Sequence, residues 1–155
     1  MMKSILLGVL LVITAAVVGG MMFPVDGSSF NLFSRYTAVK EMNGEIRLPL
    51  AEVSDGKAHY YSYQDGGKDI KFFVVKSPDG VVRAAFDACD VCFPEKKGYS
   101  QEGDFMVCIN CGRKFHSTQV NVVAGGCNPA PLARRTDGEF LVILAADIKP
   151  GARFF

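Results

Sequence analysis

Five cysteines carry most of the chemistry this chain offers: Cys89, Cys92, Cys108, Cys111 and Cys127. The first four read C-x2-C-x15-C-x2-C, a spacing suited to a four-thiolate metal site. Two residues between cysteines let both sulfurs of a tight turn face one centre, within reach of the turn's own N–H groups. Two such turns meeting face to face make a tetrahedral cage that suits Zn²⁺ or an iron–sulfur centre. Gly112, directly after Cys111, supplies the permissive backbone such a knuckle needs. The same spacing admits other chemistry. In an oxidising compartment each pair can close as a short disulfide, leaving the fifth thiol free. Paired thiols also hold Cu(I), or cycle between dithiol and disulfide. Cys127 lies in a Gly-rich loop, GGCNP, that can approach the site closely. It is a further candidate metal ligand or a redox-active thiol, against the plainer reading of a small buried side chain.

Other polar residues offer less. His116, five residues after Cys111, is a candidate ligand or proton carrier, but it is expected to be a partly exposed strand residue. His59, among Tyr60, Tyr61 and Tyr63, is expected to be structural. Lys96, Lys97, Arg113 and Lys114 lie near the knuckles and predict a solvated face, with a basic rim for an acidic partner as the alternative. Asp87 and Asp90 flank Cys89 and are candidates to face the metal region, against the plainer reading in which Asp87 caps the turn. The chain has no phosphate-binding loop, dinucleotide fingerprint or Ser/His/Asp set. A redox carrier or metal-binding protein is therefore expected rather than an enzyme.

The elements that must position the cysteines read as β structure. Ile46-Arg47-Leu48 predicts a short strand stopped at Pro49, and His59–Tyr63 a strand ended by Asp65-Gly66-Gly67. The runs IKFFVV (Ile70–Val75) and VVRAAF (Val81–Phe86) flank Ser77-Pro78-Asp79-Gly80. Pro pre-sets φ and Gly takes the positive φ, so the two runs should form an antiparallel hairpin that leads into Cys89. Phe105-Met106-Val107 should be a strand leading into Cys108. FLVIL (Phe140–Leu144), after Asp137-Gly138, should be a central strand. One all-β domain over residues 45–155 is expected, with the knuckles as two hairpin tips on loops at one edge.

Residues 1–23 read as a membrane anchor or an uncleaved signal, and residues 24–44 as a linker. The run Ile5–Phe23 carries no charge, and its nineteen residues nearly span a bilayer core of about 30 Å. Lys3 precedes it, and no further positive charge occurs before Arg35. The positive-inside rule then puts the N-terminus in the cytoplasm and the domain outside. A cleaved signal peptide is the rival reading, and it too leaves the domain extracytoplasmic. Beyond Lys3 the chain carries 16 basic and 16 acidic residues. That balance argues against a nucleic-acid partner, which needs a basic footprint.

The segment from Val81 onward resembles a Rieske-type ferredoxin domain in which cysteines replace the ligand histidines. Cys89-Asp90-Val91-Cys92 stands for the first knuckle and Cys108-Ile109-Asn110-Cys111-Gly112-Arg113-Lys114-Phe115 for the second. Gly125–Leu132 stands for the later proline loop, followed by a strand opened by Asp137-Gly138. The first spacing is x2 where the family has x. A closer match runs from about Glu45 to Phe155: FFVVKSPDGVVRAAFDACDVC, KKGYSQEGDFMVC, NCGRKF and GGCNPAPL resemble the FtrD-like membrane iron–sulfur proteins. The resemblance implies Cys89, Cys92, Cys108 and Cys111 as ligands of an iron–sulfur cluster, with [2Fe–2S] favoured over Zn or Cu. It also implies a membrane-anchored electron carrier serving an iron-transport system, with a permease or a redox protein as partner. Thiolates in place of histidines would lower the potential toward about −400 mV, the value of all-cysteine ferredoxins.

Overall fold

A strand with both faces covered needs an unbroken apolar run, and Phe72–Val75 is one. The computed structural model describes residues 34–155. Its strands are β1 (Tyr36–Val39), β2 (Glu45–Pro49), β3 (His59–Asp65), β4 (Lys68–Lys76), β5 (Val82–Phe86), β6 (Tyr99–Glu102), β7 (Phe105–Cys108), β8 (Lys114–His116), β9 (Arg135–Asp137) and β10 (Phe140–Leu144). One short helix, α1 (Ala145–Ile148), follows β10 and runs into a 3-10 turn, Lys149–Phe154. The domain is all-β, as expected.

The strands form three sheets, ordered β1-β3-β4-β5, β2-β10-β9 and β6-β7-β8. β4 and β5 are the expected antiparallel hairpin, with Phe73 opposite Ala85. The Ser77 carbonyl accepts from the Gly80 N–H at 2.9 Å across its turn. β10 is the central strand of its sheet.

β4 divides the interior in two. Ile70, Phe72 and Val74 face one core with Ile46, Leu48, Leu141 and Ile143. Phe73 and Val75 face a second core with Tyr99, Met106, Cys89, Cys108 and Cys127. The cysteine site therefore rests on the back of the main sheet. Fully burying a Phe stabilises by about 2–3 kcal/mol, so Phe73 alone ties the site's floor firmly to the fold.

The expected linker needs correction. Residues 36–39 are not linker but the strand β1, parallel to β3 with Tyr36 beside Tyr60. The Arg35 guanidinium lies 4.1 Å over the Tyr60 ring, a contact that no local pattern announces. The rest of the expected linker up to residue 33, and the expected transmembrane segment over residues 1–23, lie outside the described residues. Among the described residues, no helix is long and apolar enough to cross a membrane. β1, β6, β8, β9 and the C-terminal helical turns had no counterpart among the strands expected from the sequence.

Candidate metal centre

The two knuckles are built differently. The second is a hairpin tip, as expected: β7 ends at Cys108, β8 returns from Lys114, and Val107 lies opposite Lys114. The Gly112 N–H donates to the Cys108 carbonyl at 2.8 Å and the Cys108 N–H to the Arg113 carbonyl at 2.9 Å. Gly112 sits at φ +72°, the left-handed region that glycine enters without strain. The first knuckle is not a hairpin tip. It leaves β5 and enters a 3-10 turn, Phe93–Glu95, because Pro94 suits the start of a helical turn and cannot donate to a ladder. There the Phe93 N–H donates to the Cys89 carbonyl at 3.2 Å, and the Cys92 N–H donates to Cys89 Sγ at 3.2 Å.

A third segment completes the site. The Phe86 N–H donates to the Ala130 carbonyl at 2.8 Å, and the Ala130 N–H to the Ala88 carbonyl at 2.9 Å. These bonds lay the Cys127–Leu132 stretch along the end of β5 and bring Cys127 to the first knuckle.

All five sequence-predicted cysteines come together as free thiols. The sulfurs of Cys89, Cys92 and Cys127 lie within 4.8 Å of one another, as do those of Cys92, Cys108 and Cys111. Cys92 belongs to both groups. Cys89 is 1% exposed and Cys108 2%, whereas Cys111 is open to solvent. A cavity of about 10 Å³ borders Cys89, Cys92 and Cys108 together with Phe93, Tyr99 and Phe154, and reaches neither Cys111 nor Cys127. A larger open groove of about 490 Å³, lined by Lys76, Arg134 and Arg135 among others, contains no cysteine.

The environment separates the thiols electrically. Burial pushes the Cys108 thiol up to about 11, against the pull of the Cys111 and Asn110 backbone N–H groups. Burial pushes Cys127 up to about 12, with Cys111 and Cys92 adding to it. Cys111 is lowered, chiefly by the Arg113 backbone N–H. Thiols alone, with no carboxylate or histidine in either group, make a soft donor set. Such a set fits an iron–sulfur centre, zinc or Cu(I) and not the oxygen-seeking Ca²⁺ or Mg²⁺.

The remaining candidates stay outside the sulfur groups. His116 accepts from the Thr118 N–H at its 3-10 turn and pairs with Thr118 Oγ1 at 2.8 Å. His59 pairs with Asp55 at 2.8 Å. Lys114 is matched by Glu102 at 2.6 Å, and Lys97 donates to Asn110 at 3.0 Å, tying one knuckle's flank to the other.

Sequence reasoning missed the support beneath the site. Asp87 does not cap a turn. It is buried, and its carboxylate accepts from Arg35 Nη2 at 2.5 Å, Tyr36 OH at 2.5 Å and the Tyr99 N–H at 2.7 Å. Burial raises its carboxyl above the ordinary range, with Arg35 opposing. Tyr99 in turn donates its hydroxyl to the Cys127 carbonyl at 2.6 Å. Gly98 makes room for this network, since a Cβ there would lie inside van der Waals contact with the Asp87 carboxylate. An acid two residues before the first knuckle cysteine is the one local signal that could have pointed to Asp87.

A comparison with curated proteins yields no match. Among solved structures, the crystal structure of the quaternary ammonium Rieske monooxygenase CntA in complex with an inhibitor is similar, at 15% identity and a TM-score of 0.45. The match covers 67% of this chain and 32% of that one, so the chain spans less than half of that protein's length. The family model described as "Membrane iron-sulfur containing protein FtrD-like" matches residues 53–155, a stretch that holds all five cysteines. With more than half of its length matched, this chain belongs to the FtrD-like family of membrane iron–sulfur containing proteins.

Proposed function

We propose that the domain is a one-electron carrier whose [2Fe–2S] centre is held by Cys89, Cys92, Cys108 and Cys111. The observation that carries this reading is the convergence of both knuckles on Cys92, in two sulfur groups each within 4.8 Å. Cys92 brings the sulfurs of the first knuckle to Cys108 and Cys111 of the second, so both C-x2-C pairs can serve one centre. The family's iron–sulfur description favours a cluster there. Bound there, an iron–sulfur centre supplies one-electron redox chemistry.

The chain's own residues supply the rest. Cys89 and Cys108, with Phe73, Tyr99 and Met106 beneath them, keep water from the inner side. Backbone N–H groups directed at the sulfurs of Cys89, Cys108 and Cys111 disperse thiolate charge, which favours the ionised form. Each knuckle also presents an exposed apolar residue, Val91 at 60% and Ile109 at 45%. Apolar tips beside an exposed Cys111 suit brief docking of a redox partner. The third loop laid along β5 supports a Rieske-like arrangement with cysteine in place of histidine.

We further infer a single-pass anchor over residues 1–23, an extracytoplasmic domain and service to an iron-transport permease. The uncharged run Ile5–Phe23 and the family's membrane description support this setting. Anaerobic purification followed by iron and acid-labile sulfide analysis tests the carrier. A brown protein bleached by dithionite is expected. A colourless protein with one stoichiometric zinc, or Cu(I), would instead assign a metal-binding module without redox cycling. Two intramolecular disulfides would assign a thiol–disulfide oxidoreductase.

A further inference from the structure

A four-sulfur centre has no use for Cys127, yet the fold builds a place for it. Its loop is laid along β5 through Ala130 and Leu132. Its carbonyl is held by the hydroxyl of Tyr99, itself fully buried, and the Tyr99 N–H is held by Asp87. Cys127 Sγ stands 3.9 Å from Cys92 Sγ and joins Cys89 and Cys92 in a group within 4.8 Å. Cys111 lies on the other side of Cys92, in the group within 4.8 Å that also holds Cys108. The two differ in one respect that matters: Cys127 is buried and Cys111 is exposed. Cys92 thus has a buried sulfur, Cys127, on one side and the exposed Cys111 on the other, so a reserve donor stands within the same sulfur cluster as the most exposed ligand.

We propose that Cys127 is a reserve ligand, able to take the place of Cys111 at the centre and release that exposed thiol. The inference rests on the four-thiolate reading above. The exchange balances. Cys127 gives up a proton and gains a sulfur–metal bond, Cys111 loses its bond and takes up a proton, and no electron moves. The centre then stays anchored in the domain while Cys111 is free to engage a partner.

Cadmium(II) is a suitable probe, because its thiolate charge-transfer absorption counts bound sulfurs. The full-length chain would be loaded as wild type, C111S, C127S and C111S/C127S. C111S and C127S should each keep the wild-type absorption per bound ion. The double variant should fall by about a quarter, as three sulfurs replace four, and bind at least about tenfold more weakly. A quarter loss in C111S alone, with no further loss in the double variant, would overturn the proposal. A second measurement avoids substitution at Cys111: iodoacetamide should alkylate that exposed thiol in the loaded wild type without releasing cadmium, yet release it from C127S. Equal release from both would also overturn the proposal. Failure of the wild type to bind cadmium at all would remove the four-sulfur reading itself, whereas normal wild-type binding without exchange removes only the role of Cys127.

Discussion

Cys92 belongs to both three-sulfur groups, so replacing it removes a donor from each. C92S is expected to weaken metal binding by at least about 100-fold, while C111S weakens it less. Elemental analysis after reconstitution checks this, and wild-type loading of C92S would take Cys92 out of the ligand set. Asp87 is the other residue with reach, because it joins Arg35 and Tyr36 to Tyr99 from 52 and 12 positions away. D87A leaves the Tyr99 N–H and the Tyr36 hydroxyl without their acceptor and strips the carboxylate from the Arg35 guanidinium, which keeps only neutral acceptors. Breaking a buried pair costs about 3–5 kcal/mol. Arg35 keeps 34% of its side chain in solvent, so about 2–4 kcal/mol is expected here, readable by urea denaturation of metal-free protein.

At the scale of elements, the turn before β6 and the β4–β5 hairpin make separate demands. Gly98 combines φ +70° with Asp87 against its α-carbon. G98A should therefore lose at least about 2 kcal/mol, the left-handed strain and the clash acting together, and should lower metal loading because β6 pairs with the strand that ends in Cys108. A thermal melt that matches wild type would contradict this. In the hairpin, Asp79 is held below its ordinary value of 3.8, first by Arg83 and then by Ser77. A depressed carboxylate stabilises fully above its ordinary value, and that contribution is lost as pH falls through the lower folded value. The Tm difference between wild type and D79N should thus be constant near neutrality and shrink on acidification below pH 3.8, as a pH series of melts would record. The hairpin was legible because Pro78, Asp79 and Gly80 dictate their turn locally. β1 was not, because its four residues owe their place to β3, Arg35 and Asp87.

For the molecule as a whole, metal and fold are coupled. The cysteine site shares a core with Phe73 of the main sheet, and a site that exists only when folded returns its binding energy as stability. With metal at about a thousand times its Kd the gain is about 4 kcal/mol, or roughly 10–20 °C in Tm for a domain of this size. Chelation should remove that increment, and calorimetry with and without chelator measures it. For an all-cysteine [2Fe–2S] centre, potentiometry should find a value near −400 mV rather than the Rieske range.

The amino-acid order alone set out the candidate soft-donor set, both C-x2-C pairs, the strands β5 and β7 that lead into them and the all-β class, because each depends on residues a few positions apart. C-x2-C brings its own sulfurs together, and an alternating or unbroken apolar run declares its strand. Only the tertiary structure decided that both knuckles and the Gly125–Leu132 loop meet at Cys92, that Cys127 is buried where Cys111 is open, and that Asp87 and Tyr99 brace the floor. Those outcomes come from contacts between positions far apart in sequence, such as Tyr99 with Cys127 across 28 residues. Packing on the back of β4 selects such contacts, and no local pattern encodes them.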